Sequence, residues 1–258
     1  MIFDTHAHYD DVQFDADRDE LLLSMADAGI GRIVNIGADI ASSDRSVGLA
    51  CRYDFIYAAA GVHPSDADQL NEETFAHLSE LCDEKKVVAV GEIGLDYYWE
   101  KDPEKKYRQR YWFRRQIDLA REKGLPIVIH SRQAARDTME IAREEMIGDI
   151  GGVVHCYSYS VEQAAEYLDM GMYLGIGGVL TYKNARVLKD VVSFAPLQSI
   201  VLETDCPYLS PEPYRGKRNS SLNIPCVVQA IAQIKGLTTD EVEEVTWENA
   251  MKLYRMDS

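Results

Sequence analysis

No apolar run in this sequence approaches the ~20 residues that a helix needs to span a bilayer, which excludes a membrane-spanning helix. A secretory leader is not expected either, because Asp4, His6 and His8 interrupt the first apolar residues. The expected location is cytoplasmic. Cysteine is sparse: five residues (Cys51, Cys82, Cys156, Cys206, Cys226), odd in number, with no Cys-x-x-Cys. That excludes a disulfide framework and fits reduced thiols. Cations are in the minority, 27 Lys and Arg against 43 Asp and Glu, for a net charge of −16. Sequence-independent affinity for long nucleic acids comes mostly from cations at phosphates, so a broad polyanion grip is excluded. Any contact with DNA must be local, at a strand end or a single strand. No low-complexity tract, linker or sequence repeat interrupts the 258 residues, which read as one domain, 1–258.

What is present is alternation. Short apolar runs lie at Met1–Phe3, Arg32–Ile36, Phe55–Ala60, Val87–Val90, Pro126–Ile129, Gly152–Val154, Met172–Ile176 and Ser199–Leu202. Near-continuous apolar strands suit a parallel sheet buried on both faces. Helical patterns fall between them, near Asp17–Ala28, Ser42–Arg52, Glu72–Glu80, Glu104–Lys123, Gln133–Glu145, Val161–Met170, Asn184–Phe194 and Ile224–Ile234, with a last one at Thr239–Tyr254. Gly29, Gly124 and Gly171 stand just past helix ends, where a left-handed φ is needed. The series predicts an α/β fold, a (β/α)₈ TIM barrel with its site at the C-terminal ends of the strands. The runner-up, an open doubly wound sheet, lacks a Gly-x-Gly-x-x-Gly after the first strand.

Five of the six histidines follow predicted strands: His6, His8, His63, His130 and His155. Only His77 lies inside a helix. On an extended backbone, residues i and i+2 share a face, so His6 and His8 can aim at one ion. Glu92, in Gly91-Glu92-Ile93-Gly94, and Asp205, in Glu203-Thr204-Asp205, add carboxylates at strand ends. This inventory suits two divalent ions, Zn or Mn by the imidazoles, with Mg allowed by the oxygens. Glu92 and Asp205 are the candidate catalytic carboxylates. Asp205 is the candidate general base, a carboxylate able to take a proton from water and hand it to a leaving oxygen. Arg215-Gly216-Lys217-Arg218 is the one basic cluster on a loop near these residues, and is read as phosphate-binding. The charge run Lys105, Lys106, Arg108, Arg110, Arg114 and Arg115 reads as a solvated helix face. Cys156 and Cys206 read as small core thiols, not nucleophiles.

Asp4-Thr5-His6-Ala7-His8, Gly61-Val62-His63-Pro64, Gly91-Glu92-Ile93-Gly94-Leu95-Asp96-Tyr97-Tyr98, His130-Ser131-Arg132, His155-Cys156 and Glu203-Thr204-Asp205-Cys206-Pro207-Tyr208-Leu209 occur in order along nearly the whole chain. Together they resemble the TatD family of metal-dependent deoxyribonucleases. The resemblance implies a (β/α)₈ barrel of the amidohydrolase superfamily. It implies one ion on His6, His8, Glu92 and Asp205 and a second on Glu92, His130 and His155. His63 then reads as a substrate contact, with Arg132, Arg215, Lys217 and Arg218 beside it. The family usually shows His-Cys-Phe-Ser-Gly after the sixth strand; this chain has Tyr159 in place of the glycine. The implied activity is 3′-to-5′ exonucleolytic hydrolysis of DNA by a monomer or weak oligomer. Two rivals stand beside it. One is a hydrolase of a small amide, lactone or phosphoester on the same fold; the other is a metal-stabilised interaction protein without turnover.

Overall fold

The computed structural model of the protein describes residues 1–256. Eight parallel strands follow one another in the sheet order β1 to β8, each followed by a helix, the (β/α)₈ TIM-barrel class. Two compact units make up the chain: residues 1–35 with 156–258, and residues 36–155.

The first unit contains β1 (Ile2–Ala7), α1 (Arg18–Leu23) and most of β2 (Ile30–Ile36). From the C-terminal part it takes α6 (Val161–Asp169), β7 (Tyr173–Ile176), α7 (Arg186–Phe194), β8 (Ile200–Leu202), α8 (Ile224–Lys235) and α9 (Thr239–Leu253). Every residue of β1 is buried, Asp4, Thr5 and His6 included. The last helix covers this strand: Phe3 packs its ring at 5.7 Å from Trp247 and 5.9 Å from Tyr254, and the Tyr254 hydroxyl donates to the Thr5 carbonyl at 2.7 Å. α9 begins with a capping box in which Thr238 and Glu241 satisfy each other's backbone N–H groups. α1 is shorter than the helical pattern over 17–28. The Ser24 hydroxyl bonds back to the Leu21 carbonyl and Met25 N–H reaches Leu22, so the chain tightens into turns after Leu23.

The second unit is contiguous: α2 (Ile40–Arg52), β3 (Ile56–Ala60), α3 (Glu72–Leu81), β4 (Val87–Asp96), α4 (Pro103–Lys123), β5 (Ile127–Arg132), α5 (Ala135–Glu144) and β6 (Gly152–Val154). Here the structure lengthens two strands. The stretch 91–96, beyond the apolar run Val87–Val90, continues β4, and β5 runs on through Arg132. Glycines make this possible. A Cβ on Gly91 would sit 2.5 Å from Val128 Cβ, and one on Gly94 (φ +145°) would sit 1.9 Å from the His130 carbonyl oxygen. Without side chains at these two positions, β4 and β5 stay paired, Ile93 opposite Ile129, Gly94 opposite His130 and Asp96 opposite Arg132. The cations of α4 are partnered along its solvated side, Arg108 with Asp68, Arg110 with Asp137, Arg114 with Glu144 and Glu145, and Arg115 with Glu72.

Candidate metal centre

In the first unit, strand alternation carries His6 and His8 to one side. His6 Nε2 and His8 Nε2 are 3.1 Å apart. Asp205, just past β8, brings Oδ1 to 3.3 Å from His8 Nε2 and 3.7 Å from His6 Nε2. Backbone bonds hold the two segments side by side: Asp205 N–H donates to the His6 carbonyl at 2.9 Å, and His8 N–H to that of Cys206 at 2.8 Å. Beneath them the buried Asp4 carboxylate accepts four hydrogen bonds, from the Thr204 hydroxyl (2.7 Å), the Ser221 hydroxyl (2.6 Å), Thr204 N–H (3.1 Å) and His6 N–H (3.2 Å). Burial nevertheless raises the Asp4 carboxyl to about 7. The donor set fits a divalent ion. Two ligands each ~2.1 Å from one ion, at angles from octahedral to tetrahedral, lie ~3.0–3.4 Å apart. The 3.1 and 3.3 Å separations fall in that range and 3.7 Å lies just outside it.

In the second unit, Glu92 on β4 is the focus. Its Oε1 lies 2.7 Å from His130 Nδ1, 2.9 Å from His155 Nε2 and 3.9 Å from His63 Nε2. Burial alone would raise the Glu92 carboxyl, but the His155 and His130 imidazoles outweigh it and hold it well below the usual carboxylate range. His63 differs from the other two histidines in one respect. Its Nδ1 accepts the Ser65 N–H at 3.1 Å, so the neutral ring carries its proton on Nε2. Burial, helped by neighbouring His130, pushes its pKa down to about 4 and keeps it neutral. A protonated Nε2 cannot ligate an ion but can donate to a substrate oxygen.

Asp96, quoted in the sequence motif but given no role there, completes this group. Its Oδ2 lies 3.3 Å from His130 Nε2. Burial alone would lower the His130 pKa, but the hydrogen bonds to Asp96 and Glu92 outweigh it and raise it; with an ion at Nδ1, the carboxylate on Nε2 would keep the proton there and orient the ring. The signal that could have found it is period two: Glu92, Gly94 and Asp96 share one face of β4. Asp4 and Glu203 were also missed; Glu203 Oε1 accepts the Cys156 N–H at 2.6 Å. The outer residues are placed as follows. Arg132 is exposed at the end of β5. Arg215 stacks on Tyr182 at 4.2 Å, Lys217 is exposed, and Arg218 is bound to both carboxylate oxygens of Asp17 at 2.7 and 2.6 Å. Tyr159 is half-buried, its ring edge-on to Tyr157 at 6.2 Å. Cys206 is fully buried and Cys156 half-buried.

The sequence profile of TatD related DNases matches residues 3–255. The chain belongs to the TatD family. A TatD relative from Bacillus subtilis, named uncharacterized metal-dependent hydrolase YabD, is 44% identical over the whole of both chains. One from Cronobacter sakazakii, named 3′-5′ ssDNA/RNA exonuclease TatD, is 32% identical over 98% of this chain and 97% of its own. Among solved structures, the TatD homologue YJJV from Escherichia coli superposes with a TM-score of 0.92 at 30% identity, covering 99% of this chain and 98% of that one. The protein is a metal-dependent hydrolase of the TatD family. Among the described residues, no helix is long and apolar enough to cross a membrane.

Proposed function

We propose that the whole chain works as one phosphodiesterase domain that removes nucleotides from the 3′ end of single-stranded DNA. The carrying observation is the group on Glu92: its Oε1 lies 2.7 Å from His130 Nδ1 and 2.9 Å from His155 Nε2, while His63, 3.9 Å away, offers an N–H. That is a ligand set with a substrate donor beside it. His6, His8 and Asp205 are assigned to one divalent ion, and Glu92, His130 and His155 to another. Zn, Mn or Mg would serve; such ions supply Lewis acidity, lowering the pKa of water and offsetting phosphate charge. His63 Nε2–H holds a phosphate oxygen. Asp205 turns Oδ1 to the two imidazoles, and Oδ2 is the atom assigned to take the proton of the attacking water and return it to the leaving 3′ oxygen. Arg132, Arg215 and Lys217 are assigned to flanking phosphates. Arg218 reaches them only by giving up Asp17.

The small-substrate rival keeps one observation in its favour, the net charge of −16, which disfavours a polyanion. Both are tested by offering 5′-labelled single-stranded DNA and a panel of lactones, amides and small phosphoesters with Mg, Mn and Zn. A ladder of mononucleotide losses from the 3′ end supports the exonuclease; turnover confined to the small panel overturns it.

A further inference from the structure

Two large aromatic side chains stand exposed directly after β4. Trp99 is 69% and Tyr98 40% accessible, their rings edge-to-face at 4.6 Å. Burial does not explain the place of Trp99, most of whose surface stays in water. Their backbone, by contrast, is held. Asp96 Oδ1 accepts the N–H groups of Tyr98 (2.9 Å) and Trp99 (3.2 Å), while Oδ2 of the same carboxylate faces His130. The aromatic turn and the histidine are thus tied to one side chain. Arg132, two residues beyond His130, lays its guanidinium over Tyr98 at 4.1 Å, with Trp99 at 5.7 Å. Tyr97 N–H donates to the Arg132 carbonyl at 2.8 Å and fixes the register. Unlike the arginines of α4, Arg132 makes no ion pair among the described residues. Its charge is therefore left for something else. A cleft of about 110 Å³ lies between Trp99 and the turn after His63, walled by Pro64, Ser65, Asp96 and Lys105.

We propose that Trp99, backed by Tyr98 and Arg132, is a stacking platform for one unpaired nucleobase of the strand whose phosphate His63 contacts. The inference rests on the nuclease reading and adds to it the residues that select unpaired over paired bases. The chemistry is specific to that occupant. A flat indole offers a π-face to any base without reading its edge, and a neighbouring guanidinium suits the attached phosphate. A base inside a duplex has both faces covered by its neighbours and cannot lie on the ring. An acidic chain that cannot hold a polyanion by charge alone would gain affinity this way without further cations.

The test uses the full chain with Mg²⁺ and a short phosphorothioate oligothymidylate, which resists hydrolysis. Binding should quench tryptophan fluorescence saturably. Trp99→Ala should abolish the quench and raise Kd about tenfold, the order of a single base–aromatic stack, while Trp99→Phe should restore most of the affinity. An abasic strand of the same length keeps the phosphates and lacks the bases; it should bind the wild type and Trp99→Ala equally. Trp99→Ala binding the thymidylate as tightly as the wild type, or losing the abasic strand to the same degree, overturns the platform. So does an absence of oligonucleotide binding by the wild type. Failure of the nuclease reading shows separately, as binding and quench without release of nucleotides from an ordinary phosphodiester strand.

Discussion

Asp96 touches His130 through one oxygen and the backbone of the aromatic turn through the other, so its chemistry can be separated from its shape. Asp96→Asn keeps the volume but lets an amide N–H face His130 Nε2, favouring the wrong tautomer. Metal affinity should fall about 10–100-fold, the usual cost of losing such a partner; isothermal titration with Zn²⁺ or Mn²⁺ reads it, and unchanged affinity would remove Asp96 from the orienting role. Glu92→Ala should abolish turnover while the folded circular-dichroism spectrum persists. Asp205→Asn should retain much of the metal yet lose about 10²-fold or more in rate, and an unaltered pH–rate profile in that variant would take the proton away from Asp205. The histidines behind these expectations were legible because five of them follow strand ends, a pattern independent core residues do not make. Asp96 and Asp4 were not, because a carboxylate beside a strand resembles any turn or capping residue until its partners are in place. His63 was legible only as a neighbour of the site; the donor role proposed for it rests on the Ser65 N–H, which no sequence spacing announces.

At the level of elements, β4 decides where Glu92 and Asp96 stand. Gly94→Ala would drive a methyl to 1.9 Å from the His130 carbonyl at a φ of +145°. It should cost at least ~3 kcal/mol, among the larger single-residue effects, read as a fall in the urea midpoint; a midpoint within error of the wild type would mean that β4 and β5 separate easily there. Asp39, which closes a capping box on α2 by accepting the Ser42 N–H at 2.6 Å, should cost about 1 kcal/mol on replacement by alanine. All eight strands were found by their apolar runs, and all nine helices among the described residues by their patterns. The errors were at ends. β4 and β5 outrun their apolar cores because pairing continues across glycine and polar residues, which a hydrophobic run cannot register. α1 stops early because Ser24 turns its hydroxyl back on the helix, a local competition that helical periodicity ignores.

For the whole molecule, charge sets the conditions of binding. With Arg218 committed to Asp17, few cations remain for phosphates, and about three contacts on a single strand predict that log Kd rises with log salt at a slope of roughly 2. A much steeper slope would reveal a basic surface that the sequence does not advertise. Chelation should also lower the melting temperature: ions at a hundred times their Kd contribute ~2.7 kcal/mol, and a scan with and without EDTA measures the loss. The Asp4 node has a further consequence, in time. Its partners Thr204 and Ser221 lie 200 and 217 residues downstream. At ~5–20 residues per second of synthesis, His6 and His8 leave the ribosome ~10–40 s before Asp205 exists to face them. The contiguous group on Glu92 is finished while the tail of the chain is still being made. The group on Glu92 is therefore complete about 50 residues, or ~2.5–10 s, before Asp205 joins His6 and His8.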